Sequence, residues 1–488
     1  MKFKWLLSFL MLSQTLSAQT FVEATPTPPF EAVFLSSVAF ADIDGDNDQD
    51  VLITGGDIST NRVSKLYTND GLGKFTEVQA NPFEPVYGSS VAFADIDSDN
   101  DQDVLITGLS SSSGHISKLY TNDGIGNFTE VMGTTFDGVA FGSIAFADVD
   151  NDNDLDVLIS GLRLPPGPLL VSKLYLNDGA GTFTEKADLF LEGVFMSSVA
   201  FADIDSDDDQ DLLVTGQNSS DVKISKLYVN DGAGNYTEML EAGLESVDAG
   251  SIAFADVDGD NDQDLLLTGR DNSDSRTSKL YINDGEGNFT EMQGAPFEPV
   301  SGSSIAFADV DNDDDLDVLL TGSISAEVAI SKLYVNDGAG NFSELPNVPF
   351  DDASSGSSAF ADVNGDGNLD VLITGQSGPG NFISKLYINE GVESSSMEYS
   401  KTETTLSFTV FPNPSTSPML FLSYDSAEIS EVTISVYNIN GVLLRQQKEM
   451  ATIGQQVFPV DVESLPKGNY FIELDNGKGR GTIKFVVQ

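Results

Sequence analysis

The sequence predicts an all-β chain: a seven-bladed β-propeller closed by an N-terminal strand, followed by a small C-terminal β-sandwich. Three observations carry this. A phrase that begins "FADIDGDNDQD" returns with its first Asp at 42, 95, 148, 203, 256, 309 and 362, in steps of 53 or 55 residues. A second phrase, "SKLY", keeps the same step from 64 to 384, in seven copies. The piece missing after the last "SKLY" stands instead at the N-terminus. A fixed period of this length signals a repeat architecture.

Taken in order, residues 1–18, "MKFKWLLSFLMLSQTLSA", read as a secretory signal peptide. Lys2 and Lys4 form its charged start, Trp5 to Leu12 its apolar segment, and Ser17-Ala18 a small-residue cleavage site. The apolar run is far short of the roughly 20 residues that a spanning helix needs, which argues against a membrane anchor and an integral membrane protein. With no Cys in the chain, an exported protein must be stabilised by something other than disulfides.

Residues 19–391 form the repeat array. In each unit, "SSVAFAD" alternates large and small residues, with Val38 and Phe40 on one face and Ala39 and Ala41 on the other. "DVLITG" is an apolar run, as expected of a strand buried on both faces. "SKLYTN" is the third strand, and "NDGLGKF" turns the chain into a fourth, "KFTEV". Four strands in about 50 residues without helical periodicity describe a propeller blade; the coils of a linear β-solenoid are usually shorter. The last "SKLYINEG" lacks a following "GNFTE", whereas "TFVEATPTPPFE" at 20–31 matches "KFTEVQANPFEP" at 74–85. The N-terminus therefore supplies the final blade's outer strand, which removes exposed sheet edges.

Charge narrows the partners. The chain carries 77 acidic and 23 basic residues, a net −54, of which −2 falls from 401 onward. Such a body excludes nucleic acid, whose phosphates need Lys and Arg, and simple docking on anionic lipid. Metal cations are the natural partner. Numbering each loop from its first Asp, position 1 is Asp42, Asp95, Asp148, Asp203, Asp256, Asp309 and Asp362. Position 3 is Asp44, Asp97, Asp150, Asp205, Asp258, Asp311 and Asn364. Position 5 is Asp46, Asp99, Asp152, Asp207, Asp260, Asp313 and Asp366. Position 9 is Asp50, Asp103, Asp156, Asp211, Asp264, Asp317 and Asp370. Ca²⁺ takes six to eight oxygens, and alternating carboxylates on a tight loop can converge on one ion, so up to seven Ca²⁺ ions are expected. Position 7, namely Asp48, Asp101, Asp154, Asp209, Asp262, Asp315 and Asn368, would give its backbone carbonyl. Position 6 is Asn, Asp or Gly throughout, the residues that best tolerate a left-handed turn. Ile53 stands where an EF-hand needs a bidentate Glu, so the loop is not an EF-hand. The seventh loop carries one less charge at position 3 and is expected to bind more weakly.

"FADIDGDNDQD" and "FADVNGDGNLD" resemble FG-GAP/VCBS repeats, found in integrin α-subunit propellers and many bacterial surface proteins. The resemblance covers residues 20–391 and implies that the loop joins the first two strands of each blade and binds calcium. The "FG" and "GAP" phrases themselves are largely missing, so nothing about integrin ligands carries over. Lys65 and its six counterparts are expected to pair with neighbouring carboxylates or to stand in solvent.

Residues 392–405 read as a Ser/Glu/Thr-rich linker, and 406–488 as a small β-sandwich of short strands separated by Pro, Asn-Gly and Gly turns. "FPNPS" (411–415), "YNINGVLL" (437–444), "LPKGNYFIEL" (465–474) and "KFVV" (484–487) resemble the type A C-terminal sorting domain of type IX secretion. That likeness implies a partnership with the type IX machinery, export across the outer membrane, and release or attachment at the cell surface.

Repeated residues serve the fold, so unrepeated ones are the better ligand candidates. The apolar residue 12 before each first Asp (Phe30, Phe83, Phe136, Leu191, Leu244, Phe297, Phe350) recurs and reads as core. Seven or eight before, blades one to four offer Phe34, Tyr87, Phe141 and Phe195, whereas blades five to seven offer Asp248, Ser301 and Ser354. This lopsided aromatic sector can stack on sugars or anchor a protein, or serve local packing. The longer loop "LRLPPGPLLV" (162–171) is a second candidate. The leading function is a secreted or cell-surface calcium-binding module for adhesion to a glycan or protein. A polysaccharide lyase-like or other carbohydrate-active enzyme is the alternative, since some polysaccharide lyases carry related propellers, and a passive surface-structural protein is the third. The absence of Cys and the single His, His115, exclude thiol chemistry and His-based triads, so no catalytic residue is assigned.

Overall fold

The computed structural model describes residues 19–57, 59, 61–164, 169–240, 242–392, 406, 408–413, 418–426, 429–437, 443–462, 465–476 and 480–487. The signal segment, nearly all of the linker and the centre of the 162–171 loop lie outside the described residues. Contacts divide the chain into two compact units, Met1–Ser394 and Ser395–Gln488. Every regular element among the described residues is a strand.

Blade one shows the plan. Its inner strand is Phe34–Ala41, followed outward by Asp50–Gly56, Arg62–Thr68 and Thr76–Glu77, all antiparallel. The second strand is buried along its full length because sheets stack on both of its faces. Val38 and Phe40 pack toward the last blade, beside Ala361, Val363 and Leu372, whereas Ala39 and Ala41 pack toward blade two, beside Val91 and Val104. The large–small alternation thus sets the spacing between neighbouring blades.

The fourth strand is shorter than expected. It spans two or three residues in blades one to six and reaches five, Gln19–Glu23, only in the last. A short outermost strand leaves few unpaired backbone groups for another chain to pair with.

The ring closes. Gln19–Glu23 pairs antiparallel with Asn381–Val392, placing Glu23 opposite Tyr387 as Glu77 lies opposite Tyr67. Three sets of bonds then repeat between neighbours, and each also joins blade one to blade seven. A bridge links the third strand to the residue nine before the next first Asp: Val63 to Val86, onward to Ile383 with Val33. The Asn of each "NDG" turn donates to the backbone of the preceding blade's loop, as Asn122 does to Ile43 and Asn69 to Val363, both at 2.8 Å. Around the axis, backbone amides donate in one direction: Phe141 to Gly88, Met196 to Phe141, Ala249 to Met196, Gly302 to Ala249, Ser355 to Gly302 and Leu35 to Ser355, at 2.6–2.9 Å. All these residues have positive φ, from 46° at Leu35 to 56° at Gly88, a conformation that costs a non-glycine residue about 1–2 kcal/mol. The inter-blade hydrogen bonds offset that cost. At Gly88 a side chain would have to displace the Phe141 ring, since a Cβ there would lie 2.6 Å from it.

Outside the second strand, each blade holds a buried Tyr. Tyr67, Tyr120, Tyr175, Tyr281, Tyr334 and Tyr387 are at most 2% exposed, and their hydroxyls accept the backbone N–H of the residue eleven before a first Asp. In the five blades where the predicted core residue is Phe, its ring meets the Tyr ring edge-on or tilted, as Phe83 meets Tyr120 at 5.0 Å. The seven "SKLY" lysines all make ion pairs with two carboxylates, for example Lys65 with Glu31 and Glu77.

The second unit has two sheets, one of Phe408–Phe411, Met419–Ser426 and Gly454–Asp461, the other of Leu443–Ala451, Ser430–Tyr437, Gly468–Asp475 and Arg480–Val487. They share a core that includes Leu420, Leu422, Ile434, Ile472, Leu474 and Phe485.

Candidate functional site

Each Asp loop runs from the inner strand to the second, and its geometry is fastened by its own backbone. In the first loop the position 1 carboxylate, Asp42, accepts N–H bonds from Gly45 and Asn47 at 2.8 and 3.0 Å. At position 5, Asp46 accepts from Asp48 at 3.0 Å. The position 9 carboxylate, Asp50, is 1% exposed and accepts from Ile43 and from Asn69 of the neighbouring turn. Position 6 is left-handed in all seven loops, from 68° at Asp208 to 86° at Gly367, as its residue types predict. Position 4 is left-handed as well, from 60° at Asn151 to 77° at Gly45, and the reading of the sequence missed it. The signal was there: position 4 is Gly, Ser or Asn in every copy.

Position 3 differs from the rest. One carboxylate oxygen of Asp44, Asp97, Asp150, Asp205, Asp258 and Asp311 is buried without a hydrogen-bond partner. Oxygens of the surrounding aspartates converge on it. Ligand atoms of Asp42, Asp44 and Asp50 lie within 4.8 Å of one another, as do those of Asp95, Asp97 and Asp99 in the second loop. Burial, then the charge of Asp46, raises the Asp44 carboxyl above its usual range, and burial pushes Asp50 up to about 7. Six converging oxygen-rich loops, each with an unsatisfied buried oxygen, form a donor set that a hard cation fits; the same cation would return these carboxylates to their ionised form. In the seventh loop the side-chain amides of Asn364 and Asn368 donate to Asp366 at 3.1 and 3.0 Å.

The position 7 side chains are set apart from these clusters. The Asp48 carboxylate lies against Gly71 of its own blade's turn, where a Cβ would come within 2.5 Å of it. On the other side, position 4 of the preceding blade reaches across: Asn151 donates to Asp209 at 2.7 Å, and Asn312 to Asn368 at 3.0 Å. Where position 4 is Asn, position 7 therefore joins blades through its side chain.

The opposite end of the inner strands forms a mouth with different chemistry. Of the four predicted aromatics, three make a continuous arc: Tyr87 meets Phe141 at 5.8 Å, and Phe141 meets Phe195 at 5.9 Å. Phe34 stands apart from that arc and stacks at 4.3 Å on Phe382, a residue the sequence reading did not single out. Arg62 lies over the Tyr87 ring, 5.1 Å from its centre. At the same register as Arg62, the third strands carry His115, Leu170, Lys223, Arg276, Ala329 and Phe382. Burial lowers the His115 pKa. Asp248 is 2% exposed and pairs with Arg270 at 3.2 Å. Lys223, also buried, is held by Asp274 and the Asp271 carbonyl. The arc was legible because its residues break a repeat; the arginines were not, because their meaning depends on which neighbours lack a carboxylate.

Comparison with known proteins adds the following. Residues 42–106, 256–320 and 325–373 match the FG-GAP-like repeat. The chain carries FG-GAP-like repeats. Residues 409–488 match the secretion system C-terminal sorting domain, which indicates export by type IX secretion, to the cell surface or as a secreted protein. No curated protein is similar enough in sequence to count as a relative. Among solved structures, the chain is similar to S. cerevisiae core factor at 10% identity, covering 76% of this chain and 60% of that one, with a TM-score of 0.36. It is similar to an Aspergillus kawachii β-fructofuranosidase at 10% identity, covering 95% and 89%, with a TM-score of 0.30. A glycoside hydrolase family 43 arabinoxylan arabinofuranohydrolase from Bacillus subtilis gives 10% identity, 86% and 96% coverage and a TM-score of 0.26.

Proposed function

We propose that the exported ring is a calcium-stiffened binding platform whose mouth, on the face opposite the Asp loops, holds a glycan or protein ligand outside the cell. Calcium would be held by positions 1, 3, 5 and 9 of each loop, with position 7 contributing its carbonyl, and more weakly in the seventh. The ion supplies positive charge where carboxylates otherwise repel, and lowers the ordering cost of binding by keeping the platform rigid. The observation that carries the binding role is the Tyr87–Phe141–Phe195 arc, which has no counterpart in blades five to seven. A glycan array probed with and without EGTA tests it. Signal that depends on Tyr87 and Phe141 supports the reading; undiminished binding by the Tyr87→Ala, Phe141→Ala double variant removes the arc from it. Turnover of pectins, alginate or other polyuronates to unsaturated products would replace the binding role with a lyase.

A further inference from the structure

We propose that the mouth receives a polysaccharide bearing anionic groups, its sugar faces on the aromatic arc and its carboxylates or sulfates on the guanidinium groups of Arg62 and Arg276. This rests on the binding role of the mouth and narrows its ligand class. The argument starts from charge. In a chain of net −54, a cation should be claimed by a nearby carboxylate. The seven "SKLY" lysines are claimed in this way, as are Arg163 by Asp137 and Arg270 by Asp248.

Arg62 and Arg276 are not. Both are half-buried, neither makes an ion pair among the described residues, and the Nε of each is buried without a hydrogen-bond partner. Lys74 is also unpaired but stands exposed next to an "NDG" turn. A guanidinium does not shed its proton, so each arginine keeps a full charge in a planar fork that suits carboxylate or sulfate. At the two registers of Tyr87 and Arg62, Asp248 is the single acid, and it is already neutralised by Arg270. The loops between second and third strands at this end do carry acids, such as Asp274 on Lys223, but none of them pairs with Arg62 or Arg276 among the described residues.

A ligand matching both features needs a flat C–H face and an anionic group in the same repeating unit. An acidic sugar has both; an acidic peptide has the charge without the face. The ring's overall negative charge repels a polyanion at a distance, but salt at about 0.15 M screens beyond about 8 Å and leaves the close contact at Arg62 intact.

The test is calorimetric titration of the calcium-loaded full chain with four probes: hexagalacturonate, its methyl ester, a heparin-derived hexasaccharide and poly-L-glutamate. The expected result is that hexagalacturonate, the sulfated hexasaccharide or both bind at least about tenfold more tightly than the methyl ester, and that Arg62→Gln with Arg276→Gln removes this margin. Arg62→Lys, which keeps the charge, should retain part of it and controls for misfolding, and Lys74→Gln should leave binding unchanged. Equal binding of the methyl ester overturns the anionic class while sparing the platform. Equal binding of poly-L-glutamate overturns the polysaccharide. Binding of none of the four overturns the proposal, and if the glycan array is also blank the platform falls with it.

Discussion

The two faces of the ring obey opposite rules. On the Asp-loop face, position 1 of every blade is Asp, position 9 of every blade is a buried Asp, and every "NDG" Asn reaches to the blade before it. At the mouth, the register that holds Arg62 in blade one holds Leu170 in blade three and Phe382 in blade seven. Repetition marks what every blade must do to stand beside its neighbour. Variation marks what only one sector does. The difference teaches that stability and recognition are separated along each inner strand, at its two ends.

This contrast can be broken or sharpened by experiment. Removing calcium should have the largest effect. If each loop is occupied at about ten times its dissociation constant, each ion stabilises the fold by about 1.4 kcal/mol, or about 10 kcal/mol over the array. Thermal melting in EGTA should then fall by on the order of 10 °C; an unchanged Tm would abolish the distinction between the faces. Next in size is a pH effect seen at its fullest in the calcium-free protein. The position 9 carboxyls are raised by burial, to about 7 at Asp50, Asp156, Asp211, Asp317 and Asp370 and about 6 at Asp103 and Asp264. Folded pKa values above the unfolded one mean that the native state holds more protons between about pH 4 and 7, so stability is lost as pH rises through that window. The calcium-free ring should melt at a higher temperature at pH 5 than at pH 8, and calcium should narrow or reverse the gap.

Smaller effects separate the faces residue by residue. Asp97→Ala should lower the bound calcium by one ion per chain and reduce Tm by a few degrees in calcium only, read by elemental analysis and melting. Tyr87→Ala with Phe141→Ala should do the reverse, leaving calcium content unchanged and lowering ligand affinity by about tenfold or more. The smallest effect is expected at Lys65→Met. Its two ion pairs are partly exposed, and such pairs contribute about 0–1 kcal/mol, so Tm should move by about 1 °C or less.

Much of this was legible in the sequence, for a physical reason. A repeat lets the same constraint be read seven times, so the left-handed turn at Asn47, the core role of Phe83 and the closing match of residues 20–31 to 74–85 could be seen without coordinates. The pairing of Lys65 was one of two open readings, because a carboxylate 34 residues away becomes a neighbour only once the blades are stacked. The short outer strands escaped notice, since "KFTEV" has a strand's composition and the register alone decides that two residues pair. Phe34 shares the column of the arc, yet its ring turns to Phe382 across the closure.

The closure has a consequence in time. Gln19 is buried and donates to the Val310 carbonyl, 291 residues away, so the first described residue finds its seat only after nearly the whole array has been made. Contacts this distant in sequence form slowly. Until they form, the final blade offers a bare strand to any passing chain. A polypeptide arranged this way stays unfinished while it is being synthesised and can complete its circle once both tips are free in the same compartment.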